Sequence, residues 1–245
     1  MSRFRFPGTL SWAGWLALAL LGAARAQTSE PWPELPLPPH AKVEWVADQM
    51  KVDGIPMRVM HFESTASRSE IVAYYTAHWS GGYVTKPSVK PMDEATLVGQ
   101  AHGAYYMTVK VSDRPRAGSG GFISVSQMLG RRPERSVGGL PLMPGAKILS
   151  VVESADPGKH CREVIAMQDA GPDSARKYYE SALQSAGWHL VQQSSDDAIR
   201  AHAGSVEIFQ RDQSELSISV MASEDGSGSS VVETLVTKGT GQWAE

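Results

Sequence analysis

A nine-residue segment that occurs twice constrains this 245-residue chain more than any other feature. Leu35-Pro36-Leu37-Pro38-Pro39-His40-Ala41-Lys42-Val43 returns as Leu140-Pro141-Leu142-Met143-Pro144-Gly145-Ala146-Lys147-Ile148, with six of nine positions identical. Later landmarks repeat in the same order. Tyr74-Tyr75 recurs as Tyr178-Tyr179 and Gly82-Tyr83 as Gly187-Trp188, at offsets of 104 and 105 residues. Ala101-His102-Gly103 has its counterpart in Ala201-His202-Ala203-Gly204. Such spacing implies two copies of one unit of about 100 residues, the size of a small domain and far longer than a solenoid repeat.

Both copies carry the same local signals. Leu-Pro-Leu-x-Pro is an extended lead-in, because proline fixes φ and drives the residue before it out of the helical region. Two strands are expected next, at about 42–47 and 57–63 in the first copy and about 147–153 and 161–168 in the second, where Asp156-Pro157-Gly158 makes the turn. One helix follows. Ser67 and Glu70 form a capping box at the start of the first, and Pro172 suits the opening turn of the second. Ala175, Tyr178, Tyr179, Ala182, Leu183 and Ala186 make its inward stripe, matched by Ile71, Tyr74, Tyr75, His78 and Trp79. Gly82 and Gly187 stop the helices. Alternating segments then predict strands near 83–86, 105–111 and 122–127, and near 188–193, 206–211, 215–221 and 231–237.

The expected fold class is therefore α+β: two tandem repeats of a small ββαβββ-like module, each an antiparallel β-sheet with one amphipathic helix packed across it. The boundaries are residues 27–130 for the first module with its Pro-rich lead-in, 131–139 for a linker, 140–238 for the second module and 239–245 for a flexible tail.

Residues 1–26 read as an address. Arg3 and Arg5 precede an apolar run from Leu10 to Ala24, and Ala24-Arg25-Ala26 places small residues at the two positions a signal peptidase reads. The run is shorter than the roughly 20 apolar residues that a spanning helix needs. Cleavage near Ala26, no stable membrane span afterwards and a periplasmic or secreted location are the expectations. Loss of Arg3, Arg5 and Arg25 leaves 20 basic against 26 acidic residues, a charge of −6. With only Arg131-Arg132-Pro133-Glu134-Arg135 as a basic run, nucleic acid is not expected as a partner.

The order of lead-in, two strands, Tyr-Tyr helix, Gly-Trp and further strands resembles small exported domains of Gram-negative bacteria. That resemblance implies shared structural motifs and carries no catalytic residue.

Chemistry is sparse. A single cysteine, Cys161, excludes an intrachain disulfide and any multi-cysteine zinc cage. No G-x-S-x-G, H-E-x-x-H, Walker or G-x-G-x-x-G motif occurs. No catalytic residue, metal ligand or cofactor is assigned, and an enzyme is not expected; a hydrolase using His102 or His202 is the remotest reading. Aromatic residues are the candidate partner or ligand contacts: Trp32 and Trp243 in the flanking tails, and Tyr74, Tyr75, Trp79, Tyr178, Tyr179 and Trp188 along the helices and their ends. The leading functional expectation is a non-enzymatic exported protein that binds or scaffolds another cell-envelope protein. The alternative is a binder of a small apolar or lipid-like ligand held between helix and sheet.

Overall fold

Short hairpin turns and helix ends organise the chain locally. In the computed structural model, which describes residues 31–80, 86–115, 117–194 and 204–239, strands β1 (Ala41–Val52) and β2 (Ile55–Ser64) are joined by Asp53-Gly54. Both turn residues have positive φ, 52° and 76°, as a two-residue type I′ hairpin requires, which is why Asp-Gly serves there. Helix α1 (Arg68–Ser80) starts at its capping box: the Ser67 N–H donates to Glu70 Oε2 at 2.7 Å, and the Glu70 N–H to Ser67 Oγ at 3.3 Å. Strands β3 (Ser88–Pro91), β4 (Ala95–His102), β5 (Tyr105–Asp113) and β6 (Ser119–Gln127) complete the first half. The second half runs β7 (Lys147–Asp156), β8 (Lys159–Gln168), α2 (Pro172–Ser185), β9 (His189–Gln193), β10 (Ser205–Arg211), β11 (Ser214–Ala222) and β12 (Ser229–Lys238). Helix α2 opens at Pro172 and closes at Gly187, whose φ of 81° is the left-handed conformation of a helix end. The expected leader at 1–26, Gly82, Tyr83, His202 and Trp243 lie outside the described residues.

The strands form one sheet of twelve, ordered β3-β4-β5-β6-β2-β1-β7-β8-β12-β11-β10-β9, with every neighbour antiparallel. This corrects the expected fold class of two tandem α+β modules, each with its own sheet. A separate sheet would leave the outer edge of β1 and that of β7 as rows of unpaired N–H and C=O groups. Instead the two edges satisfy each other, from Gln49↔Ala155 to Val52↔Val152. A ββαβββ order also fails: among the described residues four strands follow each helix, not three. Strand β4 escapes sequence reading because Ala-Thr-Leu-Val-Gly-Gln-Ala-His lacks clean alternation, and it is buried at three consecutive positions, Val98, Gly99 and Gln100.

The seam is clamped by residues 131–139. Asp53 is buried, and its Oδ2 accepts from Arg135 Nη2 at 2.7 Å and Arg132 Nη2 at 3.0 Å, while Oδ1 accepts the Val151 N–H at 2.9 Å. Arg135 also donates to the Ile148 carbonyl at 3.0 Å. A Cβ on Gly54 would stand 2.7 Å from Pro133 Cβ, so the connector lies directly over the turn. The Arg135 guanidinium holds the Asp53 carboxyl down at about 2, with the Val151 N–H and Arg132 adding to it.

Register carries one face of the sheet through the seam, from Ile55 and Val52 to Val152 and Glu163. Both helices lie on the opposite face and bury two clusters there. Under α1 these are Phe62, Ile71, Tyr75, Trp79, Val98, Met107, Val109 and Ile123; under α2 they are Val164, Ala175, Tyr179, Leu183, Phe209, Leu216 and Ile218. Each sheet edge carries a device that discourages strand addition: Lys90 and Pro91 on β3, and a register shift at Val191 on β9.

Candidate functional site

A depression lies beside α1. Strand β3 is only four residues long, and among the described residues no strand covers the flank of the helix that faces the sheet edge. The flank is small or short-branched: Ser69, Val72, Ala73, Thr76 and Ala77 recur at helical spacing. Val89, Pro91 and Thr96 form the opposite wall and Arg68 closes one end, enclosing a shallow groove of about 670 Å³. Arg68 is held by Asp113 at 3.2 Å, and the Thr76 hydroxyl donates to the Val72 carbonyl at 2.7 Å. Val89 and Met92 are exposed nearby, at 44% and 48%. The lining is thus apolar, with its one charged side chain already paired. It suits apolar side chains and holds no acid–base pair.

None of the described aromatic candidates lines this groove. Tyr75, Trp79 and Tyr179 are fully buried. Tyr75 and Trp79 pack at 4.8 Å, and Tyr178 meets Tyr179 edge-on at 5.3 Å. Tyr74 stands edge-on to Tyr75 and stacks on His78. The tyrosines fasten the two lead-in segments: Tyr75 donates to the Pro36 carbonyl at 2.7 Å and Tyr178 to the Leu142 carbonyl at 2.9 Å. Trp188 is buried with Arg211 over its ring at 4.6 Å. Trp32 packs against Tyr105 at 5.0 Å and under Arg58 at 4.9 Å, beside a cleft of about 290 Å³ that Met50, Met57 and Asp48 also line. The groove residues themselves were not singled out in the sequence. Exposed alanines on a helix look like an ordinary solvent face, and only the shortness of β3 turns them into a wall.

The floor beneath α2 is chemically different from that beneath α1. Under α1, register aligns Val98, Val109, Ile123 and Met60 across four strands. The same row under α2 reads Glu207, Ile218, Glu233 and Val164. Glu207 is 2% exposed and Glu233 1%. Arg176 reaches Glu207 at 3.5 Å, whereas neither oxygen of Glu233 has a hydrogen-bond partner among the described residues. Burial raises both carboxyls, Glu233 to about 8. Desolvation likewise raises the Tyr179 hydroxyl, with Glu233 contributing. No group of three or more His, Cys, Asp or Glu able to hold a metal ion occurs among the described residues. No described helix is long and apolar enough to cross a membrane.

Against known proteins, a family model described as START domain-like matches residues 168–228. The matched stretch runs from the end of β8 through α2 and β9 to β11, with the hairpin residues after it. It includes Glu207 and leaves out Glu233 and the groove beside α1. No curated protein and no solved structure matches the chain.

Proposed function

We propose that the protein is an exported, non-enzymatic binding protein that receives apolar side chains of another cell-envelope protein in the groove between α1 and β3. The groove carries this reading. Its volume of about 670 Å³ is within the range of ligand sites, but those sites enclose most of the ligand surface. A shallow trough flanked by exposed Val89 and Met92 is better matched to side chains that project from a larger partner. Filled aromatic cores on both halves of the sheet support the same choice, because they leave the candidate rings no room to hold a small molecule between helix and sheet.

The START domain-like match favours a second reading, a small apolar ligand in the second half of the sheet. There the space between α2 and the sheet is filled by Tyr179, Leu183 and Phe209, so such a ligand would require α2 to move.

Affinity capture from the native envelope with chemical crosslinking tests the first reading. Ala73 is exposed, so Ala73→Arg obstructs the groove without entering the core. The wild-type protein is expected to retain a defined envelope protein, and Ala73→Arg to retain at least about tenfold less at unchanged thermal stability. Undiminished capture by Ala73→Arg would overturn the groove as the site. Co-purification of an apolar small molecule with no protein would favour the second reading.

A further inference from the structure

Glu233 stands where the first half of the sheet has Ile123, both at the centre of a floor covered by a helix. A carboxyl at such a place, without a hydrogen-bond partner on either oxygen among the described residues, stays buried only in its neutral form. The elements around it do little to support a charge. On β11 the helix-side residues are Leu216, Ile218 and Val220, all apolar. On β8 the direct neighbour is Val164, and the nearest cation, Arg162, is paired with Glu153 of β7. On β10 Glu207 lies two strands away, about 10 Å by strand spacing, and carries the same sign. Helix α2 contributes the neutral hydroxyl of Tyr179, which is directed to Gln168 Oε1 at 3.4 Å. Its cation Arg176 is shared between Glu180 and Glu207.

Helix α2 also starts with less local support than α1. Where α1 has its reciprocal capping box, α2 begins at Gly171 with no side-chain cap hydrogen bond. The helix that covers the orphan carboxyl therefore lacks, at its N-terminus, the side-chain cap of its counterpart.

We infer that α2 is an acid-locked lid on the second half of the sheet, seated most firmly at low pH and released progressively toward neutrality, because lifting it lets the carboxyl of Glu233 ionise in water. Release gives that carboxyl its ordinary value of 4.5, against about 8 when covered. Between those values the seated form holds a proton that the released form gives up, so the release equilibrium rises about tenfold per pH unit. Above about pH 8 both forms are ionised and the dependence ends. Release uncovers Phe209, Leu216 and Ile218 together with Glu207 and Glu233, a surface of mixed apolar and acidic character. The inference does not depend on the groove beside α1.

Amide hydrogen exchange of the full chain at pH 5 and pH 7, corrected for intrinsic exchange, tests it. Protection of α2 is expected to fall about 100-fold between those pH values, with α1 changing less than about threefold. Glu233→Gln and Glu233→Ile, the latter copying the residue found under α1, should each shrink the fall in α2 protection by at least about tenfold, leaving the part that Glu207 contributes, since burial raises its carboxyl too. Equal loss of protection in α1 and α2 would overturn the local release. So would a pH-independent α2 in the wild-type protein, or a wild-type profile in whichever variants fold.

Discussion

Replacing Asp53 by asparagine removes one charge from the seam and little else. Asparagine tolerates the positive φ of 52° found there and suits the first position of a type I′ turn. Its carbonyl oxygen can still accept the Val151 N–H. What disappears is the attraction between the carboxylate and the guanidinium groups of Arg135 and Arg132. The folded carboxyl sits at about 2 against an ordinary 3.8, and each pH unit of such a gap is worth about 1.4 kcal/mol. The clamp therefore stabilises the fold by roughly 2 kcal/mol above pH 5. A lowered carboxyl contributes fully above its unfolded value and loses its contribution as pH falls through the folded one. About half should remain at pH 3, and almost none below pH 2. Urea titrations of the wild-type protein and Asp53→Asn at pH 7 and pH 3, read from the midpoints at constant slope, are the assay. A penalty near 2 kcal/mol at pH 7 that shrinks by about half at pH 3 is expected. An equal penalty at both pH values, or one below about 0.5 kcal/mol at pH 7, would refute the ion-pair reasoning.

Other consequences are simpler to state. Tyr75→Phe and Tyr178→Phe each remove a hydrogen bond to a lead-in carbonyl and should cost about 1 kcal/mol. Faster amide exchange near residues 35–39 in the first variant and 140–144 in the second would locate the loss; unchanged exchange would contradict the fastening role. Cys161 is half-buried, and burial together with Glu163 and Asp156 raises its thiol. Alkylation by iodoacetamide at pH 8 should run several-fold slower than for a solvated cysteine, and in urea it should reach the free rate.

How much of this was legible varied with the range of the interaction. The start of α1 was readable because Ser67 and Glu70 satisfy each other within one turn. The two-strand segments after each lead-in were readable from alternation. Sheet continuity was not: pairing of Gln49 to Val52 with Val152 to Ala155 joins residues about 100 positions apart, and no local signal marks which strand edge meets which. The basic run Arg131 to Arg135 looked like a solvated linker, since its partner Asp53 lies far off in sequence. Glu207 and Glu233 were invisible for a related reason. Each sits in an alternating strand where a single acidic residue passes as a solvent-facing position, and only the register shows that it faces the helix. Trp32, read from the sequence as part of a flanking tail, packs against Tyr105 and Arg58, contacts that no local signal announces.

Site-specific photocrosslinking in the intact envelope reports whether a protein docks in the groove beside α1. A photoreactive residue at Ala77, in the groove beside α1, is compared with one at Ser217, on the helix-free face of β11. Docking in the groove predicts a defined protein adduct from position 77 and none from position 217. An adduct from position 217 alone, or none from position 77 in cells that contain the natural envelope, would contradict it.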